Sequence, residues 1–229
     1  PLPFATVAQG VVWVPENAVP YRSLDRGKSF TQSSGAPDKA IDDRWNYSHP
    51  LASDRVDGNL FYLYLGGAFY VSTDGGATWG KRATIPAPPY DHNTGTPGPS
   101  VKATPEKRGE VWVSLHEGGL FRSRDAGASF EKLPGVVVSQ LFALGRPLRP
   151  GGPSTLYVYG TLQMIDRSEV DGIFRSSDEG KTFERIDAAE QPLGDQAMVM
   201  EADPRVPGRI YIATNGRGSF YGEPIKTSP

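Results

Sequence analysis

Residues 72–79 read STDGGATW, and the same shape returns at 23–30 as SLDRGKSF, at 123–130 as SRDAGASF and at 176–183 as SSDEGKTF. The shared pattern is Ser-x-Asp-x-Gly-x-(Thr/Ser)-aromatic, and its chemistry is that of a tight corner. An Asp side chain accepts hydrogen bonds from nearby backbone N–H groups and so holds a turn closed. The glycine two residues on allows a positive φ that a side chain resists. The leading Ser adds a local hydrogen bond, and the closing Phe or Trp is large enough to anchor the corner between neighbouring sheets. The four aspartates, Asp25, Asp74, Asp125 and Asp178, recur about every 50 residues, within the range of repeat architectures. A group repeated four times suits a job repeated four times, so these carboxylates read as scaffold and not as catalysts.

Each corner follows an apolar, aromatic-rich run (VPYR, GAFYV, GGLFR, DGIFR) and leads into a short strand opened by its aromatic (KSFTQ, ATWGKR, ASFEKL, KTFERI). Upstream lie longer runs, GVVWVP, NLFYLYL, GEVWVSL and STLYVYG, and before them FATVA, PLASDR, SVKATP and VSQLFAL. Every period thus holds four strands and no helical periodicity, which is the make-up of a β-propeller blade. After the fourth corner, AMVMEAD, RIYIATN and GSFYGEP spell three strands of a fifth blade without its corner or fourth strand. The expectation is an all-β chain in which residues 1–229 form a single β-propeller segment of four-stranded antiparallel blades, four complete and most of a fifth. Open sheet edges invite pairing. The propeller is therefore either a five-bladed ring completed by the N-terminal segment or part of a larger one.

The totals remove several function classes. Lys plus Arg number 24 against 26 Asp plus Glu, a net charge of −2, so no electrostatic case exists for nucleic acid or an anionic membrane as partner. The chain has no cysteine, which removes disulfides, thiolate metal sites and a Cys nucleophile. No apolar run approaches the roughly 20 residues of a membrane span, and PLPFATVAQG lacks the charged and apolar regions of a signal peptide. The three histidines fall in separate blades without ligand-like spacing, so neither a metal nor any other cofactor is expected.

In a four-stranded blade the 1–2 and 3–4 turns share one face, and the 2–3 and 4–1 connections share the other. The corners are 3–4 turns, which puts the binding loops on the opposite face. Two long 4–1 connections lie there. QSSGAPDKAIDDRWNYSHP carries Trp45 and Tyr47, and PAPPYDHNTGTPGPS carries Tyr90 and His92. Loops of this length are often functional. The 2–3 connections add His116 from LHEGG, and Asn215 and Arg217 from TNGRGS. Aromatic rings beside amide and guanidinium groups suit a pyranose, which offers C–H faces for stacking and hydroxyls needing donors and acceptors. These seven residues are the candidate substrate-binding set.

The ordered segments SDRVDGNLFYLYLGGAFYVSTDGGATW, GEVWVSLHEGGLFRSRDAGASF, VDGIFRSSDEGKTFERID and ADPRVPGRIYIATNGRGSFYGEP resemble the C-terminal part of glycoside hydrolase family 74. Its members are xyloglucanases and oligoxyloglucan hydrolases. The resemblance runs from about residue 5 to residue 224. It implies two seven-bladed propellers facing each other across a glucan cleft, with this chain in the second. It also implies inverting hydrolysis by two aspartates, a chemistry that needs carboxyls roughly 6.5–9.5 Å apart with a water between them. Both family aspartates fall upstream of the matching region, so no catalytic residue is carried over. RWNYSHP and PAPPYDHNTGTPGP match no family motif.

The function implied is one wall of the polysaccharide cleft in a xyloglucan-active endo-β-1,4-glucanase-like enzyme. Its partners would be a β-glucan or xyloglucan oligosaccharide and the missing N-terminal propeller portion, and its setting extracellular because xyloglucan is too large to import intact. The alternative is a free-standing carbohydrate- or protein-binding propeller without hydrolase activity. A sialidase, which needs a three-arginine clamp and a tyrosine nucleophile, rests on fold analogy alone.

Overall fold

The computed structural model describes residues 4–7, 10–15, 19–36, 49–86, 98–188, 193 and 196–224, and all regular structure among them is β. The chain divides into two compact units, residues 1–133 and 134–229. Each run picked out in the sequence becomes a strand, in the expected order.

The first unit holds three sheets. The first is β1 (Phe4–Val7), β2 (Gly10–Trp13), β3 (Tyr21–Ser23) and β4 (Thr31–Gln32). The second is β5 (Leu51–Ser53), β6 (Phe61–Leu65), β7 (Ala68–Ser72) and β8 (Gly80–Thr84). The third is β9 (Ser100–Ala103), β10 (Val111–Ser114), β11 (Leu120–Ser123) and β12 (Glu131–Lys132). The second unit holds a four-stranded sheet, β13 (Val136–Gly145), β14 (Thr155–Gln163), β15 (Glu169–Ser176) and β16 (Glu184–Arg185). It also holds a three-stranded one, β17 (Ala197–Ala202), β18 (Ile210–Thr214) and β19 (Ser219–Gly222). Each sheet is an antiparallel meander in chain order.

The core lies between sheets. On β6, Phe61, Leu63 and Leu65 join Val12 and Val14 of the first sheet. The alternate residues Tyr62 and Tyr64 join Val101, Val111 and Val113 of the third. Both faces of the strand are therefore covered, which explains why FYLYL is apolar at every position and does not alternate with polar residues. Each such side chain contributes about 1.5–3 kcal/mol by leaving water. In the second unit Ile173, Ala197, Met200, Ile210 and Ile212 form the equivalent layer.

The four corners repeat one hydrogen-bond pattern. Asp25 accepts from the Ser29 amide at 2.9 Å, the Ser29 hydroxyl at 2.6 Å and the Ser23 hydroxyl at 2.7 Å. Ser23 in turn accepts from the Gly27 amide at 2.7 Å. The same bonds recur around Asp74, Asp125 and Asp178. The residue before each glycine also lies at positive φ, 62° for Arg26, 71° for Gly75, 56° for Ala126 and 68° for Glu179. Two successive positive φ values are the signature of a type I′ turn, which matches the twist of the strands it joins.

Two corner glycines have a second reason to be there. A Cβ at Gly76 would run into Val12 of the first sheet, and one at Gly127 into the Phe69 ring of the second. The corner aromatics follow the same neighbour relation. Trp79 is 4% exposed, within the layer shared with the first sheet. Phe130 meets Phe69 edge-on at 4.8 Å. Phe30 instead packs on Trp13 of its own sheet at 5.6 Å and stays 37% exposed.

The 1–2 turn of the second sheet adds a polar joint. Asp54 accepts from the Val56 and Asp57 amides with one oxygen. The other oxygen takes the Tyr62 hydroxyl at 2.7 Å and the Gly109 amide of the third sheet at 2.8 Å.

Candidate functional site

Antiparallel order puts the corners and the 1–2 turns at one end of each sheet, and hydrogen bonds join them there. Gly75 N–H donates to Asn59 C=O at 2.9 Å, and Ala126 N–H to Gly109 C=O at 2.8 Å. The corner carboxylates are committed to these turns. Hydrogen bonds from the Ser29 hydroxyl and amide hold Asp25 at a pKa of about 2, and Asp125 is held at about 2 in the same way by Ser129. Partial burial opposes ionisation of Asp178, but its bonds to Thr182 and Ser176 prevail and leave it at about 2. A carboxylate that stays ionised while its oxygens serve its own loop is poorly suited to acid–base work near neutral pH.

The opposite end of the first unit is built from backbone first. The His49 amide donates to Pro99 C=O at 2.9 Å, and the Val101 amide to His49 C=O at 2.8 Å. This parallel bridge between His49 and Ser100 sets the ends of the two long 4–1 connections side by side. Ser100 pairs across to Ser114, and two residues beyond Ser114 stands His116. The turn there is tight. Leu115 N–H donates to Gly119 C=O at 2.9 Å and Gly119 N–H to His116 C=O at 2.9 Å, with His116 at φ 52°. Its Nε2 is buried and has no hydrogen-bond partner among the described residues. Burial holds the imidazole pKa below the usual histidine range, against an opposing pull from Glu117. The ring is therefore neutral at pH 7.

In the second unit the fifth sheet's 2–3 turn carries Asn215 and Arg217, both exposed. It is closed by Thr214 N–H to Gly218 C=O at 3.0 Å and Arg217 N–H to the Thr214 hydroxyl at 3.0 Å. The fourth sheet's 2–3 turn ends a hairpin of nine- and eight-residue strands. Its tip exposes Met164 at 40% and Ile165 fully. An apolar pair at a hairpin tip is a signal in itself. Asp166 is held low by the Ser168 hydroxyl and amide and serves that turn.

Of the seven candidate residues, His116 stands with the backbone ends of the long connections in the first unit, and Asn215 and Arg217 share a turn in the second. Trp45, Tyr47, Tyr90 and His92 lie outside the described residues.

No family model matches the chain. Individual proteins do. Xyloglucanase Xgh74A of Acetivibrio thermocellus is 39% identical over 225 residues, 98% of this chain and 24% of that protein. The oligoxyloglucan-reducing end-specific xyloglucanase of Emericella nidulans is 30% identical over 208 residues, 89% of this chain and 24% of that one. Among solved structures, the GH74 xyloglucanase from Xanthomonas campestris superposes with a TM-score of 0.79 at 30% identity, over 96% of this chain and 29% of its own. The GH74 enzyme of Niastella koreensis gives 0.80 at 27% identity, over 98% and 31%. The chain spans about a quarter of the length of the curated relatives it matches. Four-stranded antiparallel sheets joined by Asp-pinned corners, and this likeness along nearly the whole chain, mean that the chain belongs to glycoside hydrolase family 74 as a part-length β-propeller segment.

Proposed function

We propose that residues 1–229 form one continuous C-terminal propeller segment of a xyloglucan-degrading enzyme and supply one wall of its glucan cleft. The observation that carries this reading is the 39% identity to a xyloglucanase over 98% of the chain. It is joined by an arrangement that leaves the loop end of the first unit free of the corners. In this reading Trp45, Tyr47 and Tyr90 stack on pyranose C–H faces. His92, His116, Asn215 and Arg217 meet the hydroxyls. Hydrolysis falls to aspartates contributed from elsewhere in the enzyme, and the setting is extracellular.

Titration with a xyloglucan oligosaccharide, read by calorimetry, tests the reading. Saturable binding is expected. His116→Ala should weaken it about tenfold, equivalent to about 1.4 kcal/mol, while Asp74→Asn leaves it unchanged. A reducing-sugar assay on this chain alone should show no turnover. Sustained turnover, or binding lost equally on changing a corner aspartate, would overturn the assignment.

A further inference from the structure

The 2–3 turn of the fifth sheet sets a labile side-chain amide directly ahead of a glycine. Asn215 and Gly216 are both exposed, as are Arg217 and Gly218 after them. The backbone around them is pinned. Asn215 N–H donates to Gln196 C=O at 3.0 Å, Thr214 N–H to Gly218 C=O at 3.0 Å and Arg217 N–H to the Thr214 hydroxyl at 3.0 Å. The Asn215 carboxamide makes no hydrogen bond among the described residues, so its Cγ is able to swing towards the nitrogen of the next peptide. Glycine, lacking a Cβ, leaves that nitrogen uncrowded.

The other asparagine among the described residues stands differently. Asn59 is exposed too, but it precedes Leu60, which is 2% exposed and packed in the layer between the second and third sheets. A branched side chain screens the nitrogen it is attached to, and its burial resists the local backbone swing that ring closure needs.

We propose that Asn215–Gly216 is a self-modifying site, where a neutral carboxamide is converted to a carboxylate by the chain's own backbone and water. Asparagine is among the residues most prone to such chemical loss. Base removes the Gly216 amide proton, and the nitrogen attacks Cγ of Asn215. A succinimide ring closes as the Cγ–Nδ2 bond breaks, and the departing nitrogen takes up a proton and leaves as ammonia. Water then adds to either imide carbonyl and breaks its bond to the ring nitrogen, which regains its proton. In sum a water is consumed and an ammonia released, with no change of oxidation state. Opening at Cγ leaves an aspartyl residue. Opening at the main-chain carbonyl leaves an isoaspartyl residue, whose backbone runs through the former side chain and is longer by a methylene. Both products place a negative charge near Arg217, and the second also stretches the turn that Thr214 and Gly218 close. The conversion requires no ligand, and only its effect on binding rests on the sugar reading of this turn.

The test holds the full 229-residue chain in heavy-oxygen water and follows label uptake by peptide mass spectrometry, with electron-transfer fragmentation to separate the two products. Position 215 is expected to take up label with first-order kinetics, well ahead of position 59 and faster at pH 8 than at pH 6. Gly216→Ala should slow uptake at 215 about tenfold by crowding the nitrogen, and leave position 59 unchanged. Equal rates at 215 and 59 would overturn the proposal. So would a folded chain that keeps its amide at 215 while the guanidinium-unfolded chain loses it. Titration of Asn215→Asp with a xyloglucan oligosaccharide is expected to show weakened binding. Unchanged affinity would overturn the sugar role of Asn215 alone.

Discussion

The hydroxyl of Tyr62 donates to Asp54 at 2.7 Å, whereas that of Tyr157, at the matching register in the fourth sheet, is buried without a hydrogen-bond partner among the described residues. Burial pushes the Tyr157 pKa up to about 12, with Arg175 pulling the other way. An unsatisfied buried hydroxyl costs about 1–3 kcal/mol, so deleting it relieves a penalty while deleting a paired one leaves its acceptor short. Tyr157→Phe is expected to be neutral or to stabilise by about 1 kcal/mol, and Tyr62→Phe to destabilise by about 1–2 kcal/mol. Urea midpoints of the two variants check this. The corner aspartates give a second prediction at this scale. Asp25, Asp125 and Asp178 sit at about 2 when folded against 3.8 for an ordinary aspartate. Lowered folded values favour the native state above the unfolded pKa. Their contribution is whole above about pH 4 and is lost as pH falls from 3.8 through 2. Melting temperature measured from pH 5 to pH 2 should drop across that window, and Asn at all three positions should flatten the drop.

Among elements, the corner is where sequence and structure agree most closely. Ser-x-Asp-x-Gly predicts its own hydrogen bonds because every partner lies within four residues. The contact of Gly127 with Phe69 was not legible, since it depends on which residue of another sheet arrives opposite. Nor was the positive φ of Ala126 and Glu179, residue types that carry no turn signal. Gly127→Ala should therefore cost more than a glycine in an open turn. The added methyl meets a ring buried on all sides while the backbone stays at φ +83°. Strain and overpacking together amount to about 3 kcal/mol. Gly27→Ala, where the nearest atom to an added methyl is 3.9 Å away, should cost about 1 kcal/mol, from backbone strain alone. Thermal denaturation of the two variants separates the terms.

For the molecule as a whole, protection should follow coverage. β6 and β10 are buried along their full lengths, whereas β19 is exposed along its own. Native-state hydrogen exchange should find the slowest amides in the first pair and the fastest strand amides in β19. Equal protection of β19 and β6 would contradict this. The repeat made the order of strands readable from end to end, because apolar runs and corners alternate without interruption. The binding loops were readable only as lengths and compositions. Trp45, Tyr47, Tyr90 and His92 stand in stretches that carry no periodic pattern, so nothing local fixes where their side chains go. His116 was chosen for its place in a connection. Its buried, unpartnered nitrogen is a product of packing that composition does not encode.

The Asp54 carboxylate closes its own turn with one oxygen and grips Gly109 of the next sheet with the other. Asp203 closes the corresponding turn of the fifth sheet in the same manner, with Arg205, Val206 and Tyr211 as donors. Anyone recombining such repeats between homologous enzymes inherits a splicing rule from this. A crossover between the second and third sheets takes acceptor and donor from different parents, and the clasp survives only if the graft holds a backbone N–H at the same height. Chimeras cut outside residues 54–109, for example within β10, keep both halves of the clasp from a single parent and are the ones to build first.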